Sequence, residues 1–113
     1  MKTQTINIRK DFSINPSGRT LSDGPFSGES LRKNLLEPAI RKNQKIKVEL
    51  DDVVGYSSCF LDEAFAGLIR NKTLNYQQFH KIFKIITNNK ALILIINKHL
   101  LNSGNKKDIN EVF

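Results

Sequence analysis

Two serines, Ser57 and Ser58, stand where an alternating run of residues gives way to a helical one, and two acids, Asp62 and Glu63, follow shortly after. A hydroxyl at the start of a helix can do one of two things. It can cap the helix by accepting a backbone N–H of the first turn, which stabilises by about 1 kcal/mol. It can also accept a phosphoryl group, whose charge the free N–H groups and the helix dipole would stabilise. Phosphorylation would set about −1.5 to −2 charge beside Asp62 and Glu63, a repulsive switch at a partner surface. Ser57 and Ser58 are therefore the candidate phosphoacceptors, and Ser58 is also the expected cap.

A second group gathers around three glycines. Arg19, Asp23, Gly24, Ser27, Gly28, Glu29 and Arg32, with Asp62 and Glu63, read as a surface for a protein partner or small ligand. They read equally well as a network that holds two tight turns and a helix entry. The stretch lacks the glycine spacing and the lysine of a phosphate-binding loop, so nucleotide binding is not expected. His80, His99 and Cys59 are too scattered in sequence for a metal site. Cys59 has no histidine near it in sequence to activate a thiolate, and packing or simple exposure is the expected role. Asp62 and Glu63, adjacent on a helix, point about 100° apart and do not converge on one substrate. No catalytic residue, metal or cofactor is expected, and the chain reads as a non-enzyme.

These residues need a scaffold, and the apolar pattern supplies one. Ile6 and Ile8 alternate with polar residues in a short first strand, edged by Phe12. Turn clusters at 15–18 and 22–25 flank Arg19-Thr20-Leu21, which could be a very short strand. Ser27 caps a helix, with Glu29 in its first turn and Leu31, Leu35, Leu36, Ala39 and Ile40 on one face. Pro38 should end or kink it, and Asn43-Gln44 should return the chain. Lys45 to Leu50 alternates strictly, putting Ile46, Val48 and Leu50 on one side. From about Ser58, Phe60, Leu61, Ala64, Phe65 and Leu68 form an amphipathic stripe. A short helix near Asn75, a strand over Ile82 to Thr87 and a turn at Asn88-Asn89-Lys90 follow. Ala91 to Ile96 suits a hairpin strand or a buried helix; its continuation to Leu100-Leu101 favours a helix that stops at Ser103-Gly104. The expected fold is a small α/β domain over residues 1–104, a mixed sheet of about four strands with about three helices, and a loose tail from 105.

Bulk properties agree. One domain of 113 residues can bury a core without staples, and its 39% hydrophobic and 26% charged content is ordinary for a globular protein. A single cysteine suits a reducing, cytoplasmic setting. The longest purely apolar run falls far short of the roughly 20 residues that span a bilayer, and Met1 to Arg9 does not read as a signal peptide. Net charge is +7, unevenly placed: residues 1–70 hold eleven Lys/Arg against nine acids, and 71–113 seven lysines against two. That bias keeps a second reading open, a nucleic-acid-associated module using the lysines after Asn71.

The segments Gly18-Arg19, Asp23-Gly24-Pro25, Ser27-Gly28-Glu29-Ser30-Leu31-Arg32 and Ser57 through Leu68 resemble the STAS-like family known as DUF4325, over roughly residues 5 to 103. The resemblance implies a relative of the STAS fold of anti-sigma-factor antagonists. There a strand leads to a serine or threonine at a helix start, and a kinase with a histidine-kinase-like ATP-binding fold phosphorylates it, breaking the complex. By position, Ser57 or Ser58 would be the equivalent, and the partner an ATP-binding kinase-like protein.

Overall fold

In a computed structural model, residues 3–42 and 45–112 are described, with side chains as far as Ser103. Three strands, β1 (Thr3–Asn7), β2 (Lys45–Glu49) and β3 (Phe83–Ile86), lie side by side in that order. Both pairings are parallel, so each connection must cross back over the sheet, and each does so through a helix. Residues 28–41 form α1 and residues 58–70 form α2. They are followed by α3 (Tyr76–Ile82) and α4 (Lys90–Val112).

The α/β class is as expected, but the sheet is smaller and simpler. It has three described strands, all parallel rather than mixed. The missing strand is Arg19-Thr20-Leu21, where the chain instead makes a 3₁₀ turn, Leu21–Asp23. Its backbone donors are taken locally. The Asp23 carboxylate accepts from the N–H groups of Arg19 and Thr20, both at 3.0 Å, leaving neither free for a ladder. β1 also ends sooner than the Ile6/Ile8 alternation suggests. Asn7 Oδ1 accepts from Lys10 N–H, Asp11 accepts from Asn7 N–H, and Ile8–Phe12 coils into a five-residue π turn. Ile8 is still fully buried, so the alternation marked the right face.

That face carries the core. Ile6, Ile46, Val48 and Phe83 point inward, and Phe60, Leu61, Phe65 and Leu68 of α2 and Leu31, Leu36 and Ala39 of α1 join them. On the other face Thr3, Thr5, Lys45, Lys47 and Lys84 are exposed. In register, Thr5 pairs with Lys47 and Lys47 with Lys84. This is unusual for a parallel sheet, which normally has helices on both sides.

α1 and α2 each carry a central π-helical segment, Arg32–Leu36 in α1 and Asp62–Ala66 in α2. Pro38 does not end α1. It follows the π segment, where the hydrogen-bond register has already shifted, and the helix continues through Arg41. The expected return at Asn43-Gln44 lies outside the described residues. Ala91 to Ile96 is helical, and Ile96 and Leu100 are its buried contacts, but Leu94 is 70% exposed. α4 also runs past Ser103-Gly104 to Val112, where a loose tail is expected from the sequence. One glycine inside a helix costs only about 1 kcal/mol, and no proline follows it. Among the described residues, no helix is long and apolar enough to cross a membrane.

Candidate functional site

The entrance to α2 separates the two serines. Ser57 is the cap: its backbone is extended and its Oγ accepts from Phe60 N–H at 3.1 Å. Ser58, the expected cap, is the first helical residue instead. It is exposed, and its Oγ lies 2.8 Å from His99 Nε2 on α4. Ser57→Ala should therefore lower stability by about 1 kcal/mol, whereas Ser58→Ala should fall within about 0.5 kcal/mol of wild type. Urea denaturation of both variants checks this; equal losses would mean the cap is misassigned.

One turn on, Asp62 lies on the same side of the helix as Ser58, four residues away. It is the hub of an ionic cluster. Arg19 Nη1 reaches its Oδ2 at 2.8 Å and Arg70 Nη1 its Oδ1 at 2.9 Å, while His99 Nδ1 stands 3.4 Å from that same Oδ1. Arg70 also donates to Ser103 Oγ, which ties α2 to α4. Burial pushes the Asp62 carboxyl up, but its hydrogen bonds from Arg70 and Arg19 outweigh that and hold it below the ordinary carboxylate range. Arg19 is in turn raised above its usual value, first by Asp62 and then by the neighbouring Cys59 side chain.

A depressed folded-state value stabilises above the unfolded carboxylate range and is lost as pH falls through the folded one. Stability should thus decline as pH drops below about 4, the ordinary aspartate value, and Asp62→Asn should remove part of that decline. Thermal melts across pH 2 to 7 read it out. An unchanged acid limb in Asp62→Asn would mean that Asp62 is not a contributor.

Glu63 bridges two sides, its Oε1 lying 3.4 Å from Arg19 Nη1 and 3.8 Å from Arg70 Nη2. Its Oε2 meets Arg32 Nη2 at 2.8 Å, its carbonyl accepts from Arg32 Nε at 3.1 Å, and Arg32 Nη1 holds Glu37 at 3.0 Å. Arg32 is almost wholly buried. The rest of its motif serves the same contact. Ser27, fully buried, caps α1 by accepting from Ser30 N–H at 3.2 Å. Gly28 lets α1 come within touching distance of α2, since a Cβ there would lie 2.5 Å from the Phe60 carbonyl oxygen.

Glu29 accepts from Leu21 N–H at 2.9 Å and pairs with Lys33, and these contacts hold its carboxyl below the ordinary range. Asp23 is lowered likewise by the Thr20 and Arg19 N–H groups. Gly18, at φ +94°, adopts a conformation that L side chains rarely take, and its carbonyl accepts from Gly28 N–H. Gly24, at φ +143°, closes the 3₁₀ turn. The glycine-rich stretch is thus a network that fixes two turns and a helix entry. Arg19 is its residue that both reaches α2 and remains well exposed, at 39% for the side chain.

The structure therefore brings Arg19, Arg32, Asp62 and Glu63 together and places Ser58 at their edge. It adds Arg70, Glu37 and His99, which the sequence reading did not include. Arg70 had a signal, since it follows Asp62 by eight residues, close to two helical turns. Ser58 and Asp62 had one too, at i and i+4. His99 had none, because 41 residues and a strand separate it from Ser58. Tyr56 closes the approach to α2, donating to the Leu50 carbonyl at 2.7 Å and packing 5.8 Å from Phe60; burial raises its phenol above the usual value. Among the described residues, no three His, Cys, Asp or Glu side chains gather as a metal site would need.

A family model described as a STAS-like domain of unknown function (DUF4325) matches residues 27–92, the span from the cap of α1 to the start of α4. No curated protein and no solved structure matches the chain.

Proposed function

The chain belongs to the STAS-like family (DUF4325), and from that premise we propose that it is a non-enzymatic regulatory module that docks on an ATP-binding, histidine-kinase-like protein and is switched by phosphorylation of Ser58. The observation that carries this reading is the division of labour between the serines. Ser57 Oγ is committed to the cap, whereas Ser58 Oγ takes no backbone N–H and meets His99 Nε2 at the mouth of α2, where both serines are exposed. The docking surface in this reading is the rim around that hydroxyl: Arg19 from the glycine-rich loop, and the partly buried Asp62 and Glu63 that hold it. Asp23, Gly24 and Glu29 hold that rim in shape, while Ser27, Gly28 and Arg32 support it from beneath. A phosphate on Ser58 would add charge next to Asp62 and compete for Arg19 and Arg70, altering the surface that the partner meets. A reducing intracellular compartment, where Cys59 stays free, fits such a module.

The test is a binding titration with the ATP-binding protein that co-purifies with the chain, comparing wild type, Ser58→Asp and Ser57→Asp. The reading expects Ser58→Asp to weaken binding at least tenfold. It fails if Ser58→Asp binds as wild type does.

A second reading has one observation in its favour. The open face of the sheet presents Lys45, Lys47 and Lys84 among threonines, which suits the sugar-phosphate backbone of a nucleic acid. In this form the basic face draws on both halves of the chain, and of the lysines after Asn71 it uses Lys84. It predicts binding that falls steeply with salt and weakens in Lys47→Ala; no binding at low ionic strength would end it.

A further inference from the structure

We propose that Ser58, His99 and Asp62 form a nucleophile relay, in which His99 takes the Ser58 proton as the hydroxyl attacks a phosphoryl donor. The proposal rests on Ser58 as acceptor and adds the means by which it reacts. A serine hydroxyl is a weak nucleophile unless a base is placed on it and the base is held by a third group. Here the base is 2.8 Å away: Ser58 Oγ faces His99 Nε2. On the other side of the ring, Asp62 Oδ1 stands 3.4 Å from Nδ1, the nitrogen that must carry the proton if Nε2 is to accept. Two independent elements make this arrangement, since the serine and aspartate lie one turn apart on α2 and the histidine comes from α4. Arg70 fixes the aspartate from within α2 and also bonds Ser103 of α4, holding the two helices at this register. Ser58 is an exposed residue, whereas the His99 side chain is 20% exposed, so the serine is the more open of the two to a donor.

The step balances with a nucleoside triphosphate held by the partner as donor. The Ser58 Oγ–H bond breaks as its proton passes to His99 Nε2, and the Oγ–Pγ bond forms. The bond from Pγ to the bridging oxygen breaks, and the nucleoside diphosphate leaves. His99 then returns its proton to solvent. In this arrangement the kinase supplies and positions the nucleotide, and the acceptor brings its own base.

The relay is tested on the chain alone with a fluorophosphonate probe, which forms the same Oγ–P bond and releases fluoride. Mapping of the adduct should place it on Ser58, at a rate at least 100-fold above Ser57 of the same molecule. His99→Gln, which keeps the hydrogen-bonding shape without the base, should slow labelling by roughly 100-fold or more. Free imidazole should restore labelling in His99→Gly. Labelling of Ser58 no faster than of Ser57 in the wild-type chain overturns the relay, whether or not the variants fold, and so does undiminished labelling in His99→Gln. The two proposals fail separately. A probe-inert Ser58 whose Asp variant still weakens partner binding sinks the relay alone; a labelled Ser58 whose Asp variant binds normally sinks the switch and supports the relay.

Discussion

Arg32→Met should destabilise the protein by about 3–5 kcal/mol, enough to leave a marginally stable domain substantially unfolded. The side chain is 5% exposed, and each of its three guanidinium nitrogens donates a hydrogen bond. Nη2 and Nε go to the Glu63 carboxylate and carbonyl, and Nη1 to Glu37. Methionine would fill much of the space but leave Glu37 and the Oε2 of Glu63 half-buried with no cation beside them, while Glu63 Oε1 would keep Arg19 at 3.4 Å and Arg70 at 3.8 Å. The penalty lies in those stranded charges more than in the lost bonds. The double variant Arg32→Met with Glu63→Gln should therefore recover part of the loss, because it removes one of the two charges. Gly67 belongs to the same contact, since a Cβ there would come 2.7 Å from Arg32 Nε. Guanidinium denaturation of the single and double variants measures the effect. A single variant within 1 kcal/mol of wild type would mean that the guanidinium does not bind the two helices together.

Gly28→Val should be comparably severe, at about 3 kcal/mol or more, for a steric reason. A Cβ at position 28 meets the Phe60 carbonyl oxygen at 2.5 Å, Glu63 Cβ at 3.0 Å and the Ala64 nitrogen at 3.1 Å. Two of those three atoms are helix backbone, which cannot swing aside as a long side chain could. The whole of α1 would have to move off α2, and overpacking at such sites commonly costs 1–3 kcal/mol even for smaller additions. Displacement of α1 would also loosen the loop, because Gly28 and Glu29 donate to the Gly18 and Arg19 carbonyls. Gly55→Ala is the matched control, since nothing lies within 4 Å of a Cβ there. It should be nearly silent. The thermal midpoints of the two variants, measured together, decide it, and similar midpoints would contradict the close approach of the helices.

Particular residues show why some of this was readable in the sequence. Ile46, Val48 and the stripe from Phe60 to Leu68 announced themselves because burial on one face leaves a fixed period, 2 in a strand and 3.6 in a helix. The cap of α1 at Ser27 was readable for a similar reason, since capping is local. The segment 19–21 was not, because its fate depended on a carboxylate two residues beyond it. Asp23 satisfied the backbone donors that a strand would have needed. Nor does period reveal whether strands run parallel; that follows from which connection each helix makes.

The Ser-Gly-Glu-x-x-Arg segment was visible as a motif but not as a device. Its glycine and arginine work against Phe60, Glu63 and Gly67, more than thirty residues away. The same distance hid His99. Until α4 is laid beside α2, an isolated histidine and a serine that resembles a cap carry no sign of each other.

Phosphosite mapping by mass spectrometry tests the role of the Ser58 hydroxyl most directly. The chain would be isolated in complex with its ATP-binding partner, then incubated with nucleoside triphosphate and magnesium. Phosphate is expected on Ser58 and none on Ser57, with loss of the complex as Ser58 fills. A stable complex in which the nucleotide is turned over and Ser58 stays unmodified, or in which the phosphate is found on Ser57, would contradict that role.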